Sequence, residues 1–318
     1  MNSIQIIGVG ALNIDHIYKV ARILGDGEAV VEAVESFPGG SVANTIYGLG
    51  KLGVSAGFGG AIGDDDEGRI LLQDFKAVGV DTSRIKVKTK ARTGSVLCLS
   101  DGKGKRSLYV LPGANNLLTI KDIDLSYING AKMLHLSSFA DDKQFKLSLE
   151  LVDKLDDSVR LSFAPGALYA TKGLKALAPI LRRTYILFIN QDEIKQLTGE
   201  GVIKGAEKCL EQGCRGVVVT LGKGAKLGNT TASGYIRDAN NEYIIEAGEG
   251  EGKDSTGAGD AFAAGFLYGL VNNKGLEECG RLGDITAKFC ISQIGARQGL
   301  PTPDELTKRY RELYHKEL

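Results

Sequence analysis

An excess of charge of either sign is missing from this chain. Its 39 Lys and Arg balance 39 Asp and Glu across 318 residues, so no general basic field exists to draw in a polyanion, and no nucleic-acid partner is expected. Histidine is scarce as well. Only His16, His135 and His315 are present, no two of them at ligand spacing, which argues against a zinc site. Among five cysteines, Cys98, Cys209, Cys214, Cys279 and Cys290, there is no C-x-x-C pair. An odd number in a chain this large does not describe a disulfide framework, and they read as buried thiols in a reducing cytoplasm. The chain also has no long apolar run. Its most apolar later stretch, Ala261 to Val271, falls well short of the roughly 20 residues that cross a bilayer, and the first residues lack the basic-then-apolar order of a secretion signal. A soluble, unprocessed cytoplasmic protein with no membrane contact is expected. Hydrophobic residues at 43% and charged residues at 25% make disordered and fibrous classes improbable.

What is present is a rhythm. Short apolar runs at Ile4 to Val9, Met133 to Leu136, Val159 to Phe163, Tyr185 to Ile189 and Val217 to Thr220 have the form of buried parallel strands. Between them, segments such as Phe145 to Leu155 and Gly205 to Gln212 repeat apolar residues at helical spacing, which makes βαβ units. The fold class this predicts is α/β, a doubly wound and mostly parallel sheet with helices on both faces. Two regions interrupt the rhythm. Leu12 to Val20 alternates with period two, while Thr93 to Ser100, the turn Asp101, Gly102, Lys103, Gly104 and then Lys105 to Leu111 have the form of a hairpin. With Ala29 to Phe37 these strands are expected to form a small separate β-sheet, a lid over one end of the main one. No Pro- or Ser-rich linker, internal repeat or low-complexity tract divides the chain. Residues 1–318 are therefore expected to form a single domain with lid strands inserted at about 12–37 and 93–111.

In such sheets ligands gather beyond the carboxyl ends of the strands, so the loops that follow strands are where chemistry is sought. The most informative run is Asp254, Ser255, Thr256, Gly257, Ala258, Gly259, Asp260, directly before the apolar helical stretch at Ala261. Small residues let successive backbone N–H groups turn inward, and a helix start adds unsatisfied donors and its positive dipole end, which together cradle a phosphate. Asp260 then stands beside that phosphate, placed to accept a proton. The competing reading is a Gly-rich turn with Asp260 as a helix N-cap.

Other candidates carry similar pairs of readings. Pro38, Gly39, Gly40 and Ser41 precede a helical face of Val42, Ile46, Leu49 and Leu52 that stops at Gly53. Paired glycines let a small polar ligand reach the backbone, and Asn44 in the first turn offers both a donor and an acceptor to a hydroxyl; a tight turn before an ordinary helix accounts for the same residues. Asp15 can grip two neighbouring hydroxyls of a polyol, or be a solvated charge on an edge strand. Asn190 and Glu193 follow a strand end and can hold Mg²⁺ through water, or simply cap the next helix. After Val217 to Thr220, the turn Leu221, Gly222, Lys223, Gly224 can receive a nucleotide phosphate or ribose, or be a plain strand connection. Two decoys fail. Gly8, Val9, Gly10 begins like a dinucleotide fingerprint, but Asn13 holds the third glycine position and an alternating strand follows where a helix is required, which disfavours a nicotinamide enzyme. Gly252 and Lys253 resemble the end of a P-loop, yet Ala247 takes the first glycine position and Asp254 replaces the magnesium-binding Ser or Thr.

In order along nearly the whole chain, these segments resemble the ribokinase-like family of carbohydrate and nucleoside kinases, also called the phosphofructokinase-B type. The early signature is similar in Gly39, Gly40, Ser41, Val42, Ala43 and Asn44 with the later Gly63, Asp64 and Gly68. The late and more specific one is Asp254 to Asp260. Gly113, Ala114, Asn115, the Asn190 and Glu193 pair, the Thr220 to Gly224 turn, and Gly295 with Ala296 before Pro301 add to the likeness. The resemblance implies an ATP-dependent kinase that phosphorylates a hydroxyl of a sugar or nucleoside held under the lid, with ATP in a neighbouring groove. It implies Asp260 as catalytic base and Gly257, Ala258 and Gly259 as the anion hole. It further implies Asn13, Asp15, Gly39, Gly40 and Asn44 as substrate-binding, Asn190 and Glu193 as organisers of Mg²⁺ and the phosphates, and Thr220, Gly222 and Gly224 as lining of the nucleotide site. Asp254 and Thr256 fall where some relatives hold a monovalent cation such as K⁺. A homodimer joined through the exposed edges of the lids is also implied, as in several relatives.

The chain departs from the family pattern at Ser162, Phe163, Ala164, Pro165, Gly166. Ala164 stands where many sugar-kinase relatives carry an aspartate, and no Asn and Arg pair follows. This leaves a nucleoside kinase of adenosine or cytidine type as the alternative to a sugar kinase. A catalytically silent sugar or nucleotide sensor on the same scaffold would require a degraded Asp260 or anion hole, and both are intact. The residues fix neither the acceptor nor the choice between ATP and ADP as donor.

Overall fold

A computed structural model describes residues 4–101, 106–248 and 252–318. Along the chain its strands are β1 (Ile6–Val9), β2 (Asn13–Val20), β3 (Val31–Gly39), β4 (Ala56–Gly63), β5 (Asp81–Lys88), β6 (Gly94–Asp101), β7 (Arg106–Leu111), β8 (Met133–Ser137), β9 (Arg160–Ala164), β10 (Thr184–Asn190), β11 (Gly216–Leu227), β12 (Thr230–Asp238) and β13 (Glu242–Glu246). The larger sheet runs in the order β13-β12-β11-β10-β9-β8-β1-β4-β5. Neighbours from β11 through to β5 are parallel, and only the edge pairs β11–β12 and β12–β13 are antiparallel.

Successive residues of the central strands serve opposite faces. Ile6 of β1, Met133 of β8, Ile186 and Phe188 of β10 and Val218 of β11 enter one apolar core, while Ile7, Leu134, Leu187, Ile189, Val217 and Val219 enter another. Both faces are thus covered, and a strand covered on both faces has to be apolar throughout. This is the expected doubly wound α/β arrangement. Among the described residues no helix is long and apolar enough to cross a membrane.

The second sheet has the order β3-β2-β6-β7, with β2 parallel to β6 and the outer pairs antiparallel. Its hairpin pairs Ser100 with Arg106 and Ser95 with Leu111; the expected turn at Gly102, Lys103 and Gly104, together with Lys105, lies outside the described residues. Since β2 begins at Asn13, soon after β1 ends at Val9, the near end of the small sheet is tied to the carboxyl end of the large one.

One expectation needs correcting, and several strands had none. The sequence reading passes over β4, whose residues AGFGGAIG are all buried. Glycine argues against strand by propensity, but here backbone packs against backbone: a Cβ on Gly60 would come within 2.9 Å of the Gly10 carbonyl. The turn expected at Leu221 to Gly224 is instead a bulge inside β11. Pairing with β12 jumps from Thr220↔Gly234 to Ala225↔Ala232, so several extra residues bow out and the strand resumes to Leu227. The edge strands β5 and β13 and the neighbouring β12 also escape an apolar-run search, because polar and charged residues interrupt their apolar ones.

Candidate active site

Two helices begin at the same place. Helix Ser41–Lys51 follows β3 and helix Ala258–Val271 follows the 254–257 loop. A Cβ on Gly48 would lie 2.9 Å from Ala264 Cβ, so glycine lets these helices pack closely. Asn44 meets Asp260 one turn before that contact on each helix, so the two run in the same direction and their positive ends converge.

Asp260 lies in the first turn of its helix but does not cap it. Gly257 holds the N-cap position at φ 74°, and a side chain there would collide with Ala296, whose Cβ would be 2.4 Å away. The capping alternative for Asp260 therefore gives way. Its carboxylate turns to the neighbouring helix, where Oδ1 accepts from Ser41 Oγ at 2.7 Å and Oδ2 from Asn44 Nδ2 at 2.9 Å. Burial pushes this carboxyl up to about 6, against the hydrogen bonds from Asn44 and Ser41 and the Arg297 charge. Ala258 N reaches Ser255 O at 3.3 Å and Ala261 N reaches Gly257 O at 2.8 Å, while the first-turn N–H groups between them have no acceptor within the helix. A Cβ on Gly259 would meet nothing within 4 Å, so the cradle formed by Gly257, Ala258 and Gly259 is open on that side.

The orientation of Asn44 is set by Arg297, which the sequence reading passes over. This arginine is 3% exposed. It donates Nε to Asn44 Oδ1 at 2.9 Å, Nη2 to the Gly39 carbonyl at 3.2 Å and Nη1 to Asp74 Oδ2 at 2.5 Å, with its guanidinium over the Tyr47 and Phe75 rings. With Asn44 Oδ1 taken by a cation, its NH₂ end is the one turned to Asp260. Ser41, part of the early glycine signature, and Thr45, which the sequence leaves unread, also engage Asp260; Thr45 Oγ1 donates to the Asp260 carbonyl at 3.3 Å. The usable signals are slight: a hydroxyl directly after Gly39 and Gly40, and one charge soon after Gly295 and Ala296.

The small sheet supplies the other side. Gly39 ends β3, and a Cβ there would lie 2.4 Å from Asp15 Oδ2, so glycine is required for the carboxylate to cross between β2 and β3. Asp15 Oδ1 is buried without a hydrogen-bond partner. Burial raises this carboxyl to about 6, opposed by the Arg297 and His16 charges. A buried acceptor left orphaned is a seat for an incoming hydroxyl. Asn13 is buried at the start of β2, its Oδ1 held by Asn115 Nδ2 at 3.0 Å, and Asn115 also bonds the Leu12 backbone. Gly40 caps helix Ser41–Lys51, its carbonyl accepting from Asn44 N at 2.8 Å.

From Asp260 a cavity of about 130 Å³ extends along the carboxyl ends of four successive parallel strands, past Ser138, Ala164, Asn190 and Thr220. Glu193 also borders it. Asn190 and Glu193 form a reciprocal cap: Asn190 Oδ1 accepts from the Asp192 and Glu193 amides at 2.9 Å, and Glu193 Oε2 accepts from Asn190 N at 3.1 Å. Burial raises the Glu193 carboxyl, against the Asn190 hydrogen bonds. Capping and cavity lining coexist in this pair. Among the described residues no three His, Cys, Asp or Glu gather as a metal cage; Asn190 and Glu193 offer oxygen donors of the kind Mg²⁺ takes, the ion drawing most of its ligands from water and phosphate oxygens. Gly222 and Gly224 lie in the bulge just beyond Thr220.

Asp254 and Thr256 are placed differently from the cation site expected of them. Arg106, at the start of β7, reaches across from the small sheet and donates Nη2 to Asp254 Oδ1 at 2.5 Å and Nη1 to Thr256 Oγ1 at 2.6 Å. Asp254 also accepts from Thr256 N at 3.0 Å, Thr256 Oγ1 at 2.8 Å and Gly295 N at 3.0 Å. Burial alone would raise its carboxyl; the Gly295 and Thr256 amides with Arg106 bring it down to about 2. Both side chains are engaged by a cation of the chain itself, and in this arrangement they do not fit a metal ion.

Residues 3–303 match the pfkB family carbohydrate kinase. Among curated proteins, the chain is 37% identical over 257 residues to an uncharacterized sugar kinase of Archaeoglobus fulgidus, covering 80% of this chain and 98% of that one. It is 27% identical over 303 residues to the ATP-dependent ribose-1-phosphate kinase of Halopiger xanaduensis, covering 95% and 96%. Among solved structures, the ribokinase of Thermotoga maritima superposes with a TM-score of 0.83 at 25% identity, over 97% of this chain and 99% of that one.

Proposed function

The chain belongs to the pfkB family of carbohydrate kinases, phosphotransferases with an alcohol group as acceptor, and from that membership we propose a specific division of labour among its residues. The donor is ATP, as in the name of the Halopiger relative. The acceptor is a sugar or nucleoside hydroxyl. Residues 1–318 act as a single kinase domain in which the small sheet is the lid. One observation carries the reading: the Asp260 carboxylate, raised to about 6, stands at a convergence of two helix starts, between an orphaned Asp15 oxygen on one side and a cavity reaching Asn190 and Thr220 on the other.

The acceptor lies under the lid, with its hydroxyls on Asp15, Asn13 and Asn44 and its ring against the Gly39 and Gly40 backbone. Its reacting hydroxyl faces Asp260, displacing the bonds from Ser41 and Asn44. As the hydroxyl oxygen bonds to the γ-phosphorus, Asp260 takes its proton and the bond to the bridging oxygen breaks, leaving ADP. The amides of residues 257–260 and the two helix ends stabilise the charge on the migrating group. Asn190 and Glu193 would hold Mg²⁺ through water, and the ion supplies charge neutralisation on the phosphates. Thr220, Gly222 and Gly224 line the nucleotide groove. Closure of the lid excludes water that would otherwise hydrolyse ATP.

A nucleoside acceptor is the second reading, favoured by Ala164 and Gly166 at the cavity wall, where an alanine methyl and a glycine without side chain leave no charged contact for a sugar. ADP release over a panel of pentoses, pentose phosphates, hexoses and nucleosides tests both, with Asp260→Asn as control. Activity at the native level in that variant would remove the assignment of Asp260. Turnover confined to nucleosides would decide the acceptor class.

A further inference from the structure

We propose that Arg106 is a built-in cation, standing in for the monovalent metal ion at Asp254 and Thr256 and making the kinase independent of potassium. The geometry is specific. A guanidinium and a K⁺ ion each bring one positive charge, but the guanidinium adds directed donors, and here two of its nitrogens take the two oxygens that a metal would need, Asp254 Oδ1 and Thr256 Oγ1. Asp254 is buried and accepts further bonds from Thr256 and Gly295, so the carboxylate that Arg106 neutralises is the one that ties the 254–256 loop to the Gly295 turn. Ala296 in turn packs beneath Gly257, and Gly257 begins the helix that carries Asp260. Arg106 is therefore a positioning residue for the anion cradle rather than a contact to the reacting atoms.

Its origin adds a consequence. A dissolved ion reaches Asp254 whatever the small sheet is doing, whereas Arg106 sits on β7 of that sheet. Charge arrives at the loop only when the hairpin lies down over the site, so lid closure and ordering of the cradle become one event. Among the described residues, Arg106 is the side-chain cation hydrogen-bonded to Asp254.

The test compares potassium chloride with choline chloride at equal ionic strength on the full-length protein, Arg106→Ala and a remote control, Arg309→Ala on helix Pro303–Tyr314. It rests on the kinase reading for its turnover arm alone; the melting arm needs no substrate, so an absence of any accepted substrate would count against the function and leave the melting result to decide. Native protein should show the same turnover and Tm in both salts. Arg106→Ala should lose turnover about ten- to hundredfold in choline, recover much of it in potassium and melt higher there, while Arg309→Ala shows no salt preference. A native enzyme that needs potassium, an Arg106→Ala variant with no potassium response, or a control that responds equally would each overturn the proposal.

Discussion

At the scale of single residues, the site is a set of polar groups whose protonation and orientation are fixed by their neighbours. Asp260 and Asp15 both sit near 6 rather than at the ordinary 3.8 because burial disfavours their charged forms. A protonated Asp260 cannot accept the acceptor's proton, so kcat/KM is expected to be flat above pH 7 and to fall as pH drops through about 6, measured as a pH–rate profile in one buffer series. The native fold binds those two protons more tightly than the unfolded chain does. Their stabilisation is present below about 3.8 and is lost as pH rises through about 6. Asp260→Asn should consequently lower kcat by about 10²- to 10⁴-fold with little change in KM, and at pH 8 its Tm should not fall below that of the native protein. Arg297 poses the opposite case. It is a buried charge paired with Asp74, and leaving that carboxylate alone costs about 3 kcal/mol. Arg297→Ala should show that loss in urea unfolding, and Asp74→Asn should recover part of it, because the two terms share one interaction.

At the scale of elements, the site depends on two helices being able to touch. Helix Ala258–Val271 is apolar nearly all round and lies in the core, so its sequence announces burial without saying against what. Gly48 and Ala264 decide that its neighbour is helix Ser41–Lys51. Gly48→Val should separate their starting ends, costing about 1–3 kcal/mol in stability. Turnover should fall more than stability does, since the two helix starts would no longer converge beside Asp260; a variant with native kcat and native Tm would contradict this coupling.

At the scale of the whole molecule, the two sheets meet at the carboxyl ends of the parallel strands, and the proposed lid bears an unusual amount of exposed apolar surface. Leu108, Tyr109, Val110 and Leu111 on β7 and Val31 and Val34 on β3 are each more than 40% exposed. Consecutive residues of a strand point to opposite faces, so one face of β7 can look to the site while the other is open to a second copy. A homodimer through the lids is the expected assembly. Light scattering should give twice the chain mass for the native protein and a shift towards one chain for Leu108→Lys; a native protein that is monomeric throughout would end this expectation.

The sequence by itself determined the fold class and the separate small sheet, and it singled out the segments that carry Asp260, Asn44, Asp15, Asn190 and Thr220. Those are properties of local pattern: a doubly covered strand must be apolar, a helix must have a start, and a phosphate cradle needs small residues. Glycine-rich β4 escaped because its requirement is close backbone contact rather than side-chain burial, and the β11 bulge escaped because it depends on a partner strand's register. Only the tertiary structure decided that Arg297 orients Asn44, that Ser41 binds Asp260, and that Arg106 bonds Asp254 and Thr256. Each of these joins residues far apart in the chain, and a charge finds its partner only when the folded surface has brought the two within a few ångströms out of water.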